Sequence, residues 1–224
     1  MKIQKARGYR ENYPKGLLPP IEYLVEQHSL LQSQYLGFKS LIEKDAGETE
    51  IDNYIKDNKA VLANALNLFQ TGHQGAWILP QQMVKPPSLT PGQKPDFIVG
   101  GRNSDGINWF IIDLKGANEN IFVENGPRIY LSSTANKGVF QVLDYINECS
   151  RSQEYLRDRF DLTDFREPQG LLILGREREL INNDRRRDLK AAWNRTTNGK
   201  LQIRTYDALL RTLENRNFLR EDEK

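Results

Sequence analysis

The chain has a single cysteine, Cys149, among its 224 residues, and only two histidines, His28 and His73. One thiol cannot close an internal disulfide, and it cannot build a cysteine-based zinc site. Neither histidine has a partner spaced for metal ligation or for a catalytic triad, so both read as structural. No apolar run approaches the roughly 18 residues of a membrane-spanning helix. The stretch "MKIQKARGYRENYPKG" at the start also lacks the apolar core of a signal peptide. These absences set the expectation of a cytoplasmic protein with no membrane partner. A "GxxxxGK" phosphate loop is missing too, so no nucleotide cofactor is indicated. Charge of one sign is scarce overall, with 32 Lys+Arg against 30 Asp+Glu.

That near balance says little about partners, but its distribution says more. Residues 166–220 hold 13 Lys+Arg against 7 Asp+Glu, including "DRRRD" at 184–188. Uneven positive charge of this size suits contact with a polyanion such as nucleic acid, the plain alternative being a solvated surface. Hydrophobic content of 38% and charged content of 28% suit one globular domain with a moderate core and an extension.

The extension comes first. Residues 1–20 are rich in Pro, Gly and Lys and read as an irregular arm, and 20–44 carry a helical apolar stripe. "DAG" at 45–47 closes that helix, so the expected division is 1–46 as arm and helical extension and 47–224 as the main domain. A second helix over 48–66 opens with carboxylates, where the helix dipole favours them. Beyond it the elements alternate. Strands are expected at 75–80, 96–100 and 106–115, with a Pro-rich loop after the first and a "GRNSDG" turn before the third. A helix over 135–160 has its apolar period at Val139, Val142, Leu143, Ile146 and Cys149. The apolar strand 169–175, a polar helix near 179–194, and a final strand and helix over 201–214 follow. This alternation predicts an α/β fold with a central mixed sheet flanked by helices. Trp77, Trp109 and Trp193 read as core residues.

Charges at the strand ends carry the chemistry. "PDF" places Asp96 at the start of one strand, and "IIDLKG" places Asp113 and Lys115 at the end of the next. Side chains i and i+2 share a strand face, so Asp113 and Lys115 point the same way. If the two strands are antiparallel neighbours, Asp96 lies near Asp113. Two carboxylates crowded into a partly buried site repel each other, and one pKa rises unless a cation intervenes. Oxygen-only ligation suits Mg²⁺ or Mn²⁺ rather than zinc. A lysine beside such an ion can orient a water nucleophile and stabilise charge on a five-coordinate phosphorus. Taken alone, Asp113 and Lys115 read as a simple ion pair; Asp96, on a separate strand, turns them into a candidate site.

"PDF" and "DLK", with sixteen residues between Asp96 and Asp113, together resemble the metal-binding core of the PD-(D/E)xK nuclease superfamily. "QVLDY" sets Gln141 four residues before Tyr145, on one helical face, like the Gln-x-x-x-Tyr motif of RecB-like nucleases. The segments "ETEIDNYIKDNKAVL", "GLLILGRERELINNDRRRDL" and "IRTYDALL" are similar to the Shedu anti-phage defence family, often called DUF4263, over about 48–213. The resemblance implies a restriction-endonuclease-like core that cuts or nicks DNA, with Mg²⁺ or Mn²⁺ as cofactor and a homo-oligomeric state. It implies that Asp96 and Asp113 ligate the metal, with the Leu114 carbonyl as a further oxygen, and that Lys115 is the catalytic lysine. Glu48 would complete or support the metal shell, with Glu50, half a helical turn away, as its rival. Gln141 would position the attacking water or a phosphate. Tyr145 would stack or hydrogen-bond near the site, or pack along its helix. Arg176 would contact DNA phosphate or pair with an internal carboxylate. The family more often has Glu where this chain has Asp113. The alternative is a nucleic-acid-binding or sensor module that keeps the nuclease fold with little or no catalytic activity.

Overall fold

A strand with apolar side chains on both faces needs cover on both sides, because neighbouring residues along a strand point to opposite faces. Strand β4 (Gly106–Leu114) is of this kind. Its Ile112 and Leu114 enter one apolar cluster, and its Trp109 and Ile111 enter another. The computed structural model describes residues 19–26, 29–68, 75–85, 93–103, 106–162 and 165–214. It covers both faces of the sheet with helices. His28, His73, nearly all of the arm over 1–20 and the middle of the Pro-rich loop lie outside the described residues.

The six-stranded sheet runs β1-β2-β3-β4-β7-β8 in space. Strands β1 (Leu24–Glu26), β2 (Gly75–Pro80), β3 (Phe97–Asn103) and β4 pair antiparallel in turn. Strands β7 (Gln169–Ile173) and β8 (Leu201–Arg204) then add parallel to β4. The sheet is therefore mixed, and the fold is α/β as the alternation of elements predicts. A small hairpin, β5 (Phe122–Asn125) with β6 (Arg128–Leu131), stands apart from it.

Helices α1 (Gln32–Glu43), α2 (Glu48–Asp57), α3 (Lys59–Ala65) and α8 (Tyr206–Glu214) cover one face. Phe38, Ile42, Ile51, Ile55 and Leu62 are at most 1% exposed in that layer. Each such side chain contributes about 1.5–3 kcal/mol by leaving water. Helices α4 (Ser133–Arg151) and α5 (Gln153–Phe160) cover the other face, followed there by the short α6 (Arg178–Ile181) and by α7 (Asp184–Thr196).

Several local expectations change. The helix expected from residue 20 begins at Gln32, and 24–26 form the edge strand β1 instead. The first 46 residues therefore supply a strand of the main sheet and, through Tyr35, Phe38 and Ile42, part of its main core. The helix over 48–66 is two, because Asn58 leaves helical geometry between α2 and α3. Ser152 divides 135–160 in the same way, and the polar helix splits around residues 182–183. Leu143, counted in the apolar period, is 44% exposed. Finally, the hairpin has a sequence signal that the strand reading passes over: Asn125-Gly126 between apolar runs, with Gly126 at φ +59°.

Candidate active site

The β3–β4 register places Phe97 opposite Ile112, so the next step outward brings Asp96 beside Asp113. Strand β3 itself begins one residue after Asp96. The Leu114 N–H donates to Asp96 Oδ2 at 2.7 Å, which fixes the carboxylate against the end of β4. Asp113 is 3% exposed. Its Oδ2 lies 2.8 Å from Lys115 Nζ, an ion pair without hydrogen-bond alignment, and that buried oxygen has no hydrogen-bond partner. Lys115 Nζ also lies 3.6 Å from Glu48 Oε2, at the start of α2. The structure thus brings Glu48, Asp96, Asp113 and Lys115 together. Glu50 is exposed, whereas Glu48 reaches Lys115, and the geometry favours Glu48 in the choice between the two.

Burial dominates the electrostatics. It pushes Asp96 up to about 7, restrained by the Leu114 hydrogen bond and raised further by the charges of Asp113 and Asp52. It pushes Asp113 up to about 6, with Lys115 only partly offsetting it and Glu48 adding to the rise. Burial works against the Lys115 ammonium, but Asp113, then Glu48 and Asp96, outweigh it and hold the pKa above its ordinary value. Lys115 is therefore a fixed cation at neutral pH. It can stabilise negative charge but is no base.

The donor set consists of carboxylate oxygens, with Asp113 Oδ2 buried and held by the Lys115 charge but by no aligned hydrogen bond; such a set suits a hard divalent cation. Among the described residues no three His, Cys, Asp or Glu converge into a closed metal cluster. Two carboxylates with water and substrate oxygens completing the shell is the arrangement Mg²⁺ commonly accepts. A pH dependence follows. The ordinary value of both carboxyls is 3.8, and in the fold they titrate at about 7 and about 6. The folded state binds these protons more tightly than the unfolded chain, so the stability they contribute at low pH is lost as pH rises through 6 and 7. Without divalent cations, urea unfolding should show a more stable protein at about pH 5 than at about pH 8. Asp113→Asn should reduce that difference in part and Asp96→Asn should reduce it more, and added Mg²⁺ should raise stability at the higher pH.

The supports are backbone and motif residues. The Lys115 N–H donates to the Ile173 carbonyl at 2.8 Å, and the Tyr206 hydroxyl donates to the Lys115 carbonyl at 2.6 Å. Tyr206 is fully buried and sequence reasoning saw it only as part of "TYD". Its neighbour Asp207 takes the Arg176 guanidinium at 2.9–3.1 Å and accepts the Glu177 N–H at 2.6 Å. Of the two roles weighed for Arg176, internal pairing is the one seen, since Asp45 and the Ile42 carbonyl take its remaining nitrogen. Gly175 makes this approach possible. It has φ +65°, and a Cβ there would stand 2.5 Å from the Glu119 carbonyl oxygen.

Asp52 is the second residue missed. It follows Glu48 by one turn on α2, is 8% exposed, and leaves Oδ1 buried without a hydrogen-bond partner while Oδ2 pairs with Lys56. Its i+4 spacing from Glu48 was the available signal.

Lys115 opens into a cleft whose far wall is α4, with Thr134, Lys137, Phe140 and Gln141. Gln141 therefore shares the cleft with the lysine. Tyr145, 9% exposed, packs into the second apolar cluster, and burial together with Asp113 and Asp96 raises its hydroxyl to about 12. A second cavity opens near Phe110 and Gln169, where the β4–β7 pairing begins, and holds none of these groups. The candidate site lies at the carboxyl end of β4, one of the parallel strands, where α/β sheets place their ligands.

Fold and site together define an α/β protein with an acidic, lysine-bearing centre at a strand end. The family profile described as Shedu protein SduA, C-terminal, matches residues 45–210, and the chain belongs to that family. Membership points to anti-phage defence. No curated protein matches the chain. No helix among the described residues is long and apolar enough to cross a membrane.

Proposed function

We propose that the protein is a metal-dependent DNA endonuclease of the PD-(D/E)xK superfamily, nicking or cleaving phosphodiester bonds in anti-phage defence. The observation that carries the reading is the convergence of Asp96, Asp113 and Lys115, with the buried Asp113 carboxylate ion-paired to the lysine at 2.8 Å. Asp96 and Asp113 would hold Mg²⁺ or Mn²⁺, with the Leu114 carbonyl as a further oxygen and Glu48 in support. When bound, the cation supplies Lewis acidity toward a phosphoryl oxygen and lowers the pKa of water. Lys115 keeps its proton and offsets the charge that builds on phosphorus during in-line attack. Gln141, across the cleft, orients the attacking water or a non-bridging oxygen by hydrogen bonding. Glu48, 3.6 Å from the ammonium, gives it a second carboxylate partner. DNA as partner, a homo-oligomeric state and action in the cytoplasm complete the reading.

The test is supercoiled plasmid incubated with the full chain in Mg²⁺ or Mn²⁺. Nicked or linear product is expected, with none in chelator and none from Asp113→Asn. Product that persists in chelator would remove the assigned site. Salt-dependent DNA binding with no product under any cation would instead favour a sensor module on this fold.

A further inference from the structure

Helix α4 turns Val139, Val142, Tyr145 and Cys149 inward, yet it holds Phe140 out in water, 62% exposed. An aromatic ring in that position gains nothing for folding. Its place is specific: Phe140 lines the same cleft as Lys115, Lys137 and Gln141. Among the residues that line this cleft it alone is apolar; the others carry ammonium, amide, hydroxyl or carboxylate groups. Beyond the cleft lining only Leu143, three residues on and 44% exposed, adds apolar surface on this face of the helix, and two side chains fall short of the contiguous apolar area that a protein partner would call for. One exposed ring among cations and amide groups is instead what a nucleotide needs, a stacking face beside donors for its phosphate.

We infer that Phe140 is a platform on which an unpaired nucleobase stacks beside the phosphate held at Lys115, so that the substrate is DNA with single-stranded or frayed character at the cut. The inference rests on the nuclease reading of the Lys115 centre and adds its substrate class. In intact duplex both faces of each base are covered by neighbours, and a protein ring reaches one only when the strand is open or the base is turned out. Lys137 precedes Phe140 by nearly one helical turn and lines the cleft with it, which suits an adjoining phosphate.

The experiment uses the full chain without divalent cations, so that binding is read apart from cutting. The probe is a single-stranded oligonucleotide carrying 2-aminopurine, whose fluorescence falls on stacking, with a blunt duplex of the same sequence as comparison. Wild type and Phe140→Trp should quench the single strand. Phe140→Leu should bind it about tenfold to a hundredfold more weakly, the loss of one base–aromatic stack, with duplex binding and the unfolding midpoint unchanged. If Phe140→Leu binds the single strand as wild type does while wild type cuts plasmid in Mg²⁺, the inference falls and the nuclease reading stands. If wild type neither binds nor cuts DNA, both fall. A change of molecular mass in Phe140→Leu with unaltered DNA binding would give the ring to a contact between copies and overturn the inference.

Discussion

If the proposed nuclease reading holds, Lys115→Met is expected to lower the rate of strand cleavage by roughly 10²–10³-fold, the usual loss when one preorganised transition-state donor is removed. The ammonium is preorganised at several points. Its backbone is pinned on both sides, by the Ile173 carbonyl and by the Tyr206 hydroxyl, and its Nζ is drawn between Asp113 and Glu48. A methionine of similar length keeps the packing and removes the charge. That removal has a second effect, because Lys115 is the group that holds the Asp113 pKa down against burial. The Asp113 pKa in the variant should rise above the wild-type value of about 6. The folded variant should therefore lose more stability than wild type between about pH 5 and pH 8, while matching it at the low end. Initial rates of plasmid nicking, read beside urea unfolding at the two pH values, separate the catalytic loss from the structural one. Lys115→Arg is a stricter probe. It keeps the charge, but a side chain only 10% exposed has little room for a planar guanidinium. A variant of either kind that cuts at the wild-type rate would remove Lys115 from the mechanism.

The half of the site built by local pairing was legible in the sequence. Asp96 and Asp113 flank a β-hairpin, and hairpin pairing makes them neighbours whatever the rest of the chain does. The i, i+2 rule gives Lys115 its face in the same way. Glu48 is different. Its contact with Lys115 depends on how α2 packs beside Gly116, where the Glu48 amide lies 3.4 Å from a Cβ built on that glycine, and no local period reports it. Glu48 and Glu50 look alike in a helix's first turn, and only the tertiary fold separates them. The edge strand β1 was hidden for a related reason. Three residues that pair with Ala76 and its neighbours cannot be told from the opening of an amphipathic helix by periodicity. The burial of Tyr206 and Asp52 likewise follows from packing between layers distant in sequence.

Arg176→Ala is expected to destabilise the fold by about 2–4 kcal/mol, near the range for breaking a buried pair from one side. The guanidinium is 17% exposed and joins three places in the chain: Asp207 at the head of α8, Asp45 in the turn before α2, and the Ile42 carbonyl near the end of α1. Removing it leaves the Asp207 carboxylate facing a void, with only the Glu177 N–H and the helix start to hold it. Asp207→Asn should cost less, because an amide oxygen still accepts from the arginine. The consequence reaches the site through one residue, since Tyr206, next to Asp207, carries the hydrogen bond to the Lys115 carbonyl. A loosened α8 should lower the proposed cleavage without touching Asp96 or Asp113. Salt dependence distinguishes this from the phosphate role. A lost phosphate contact would reduce the slope of log binding constant against log salt by about 0.9 for duplex DNA. The internal clamp predicts an unchanged slope at temperatures where the variant is folded, together with a lower urea midpoint. The two measurements move in opposite combinations for the two roles, so one variant decides between them.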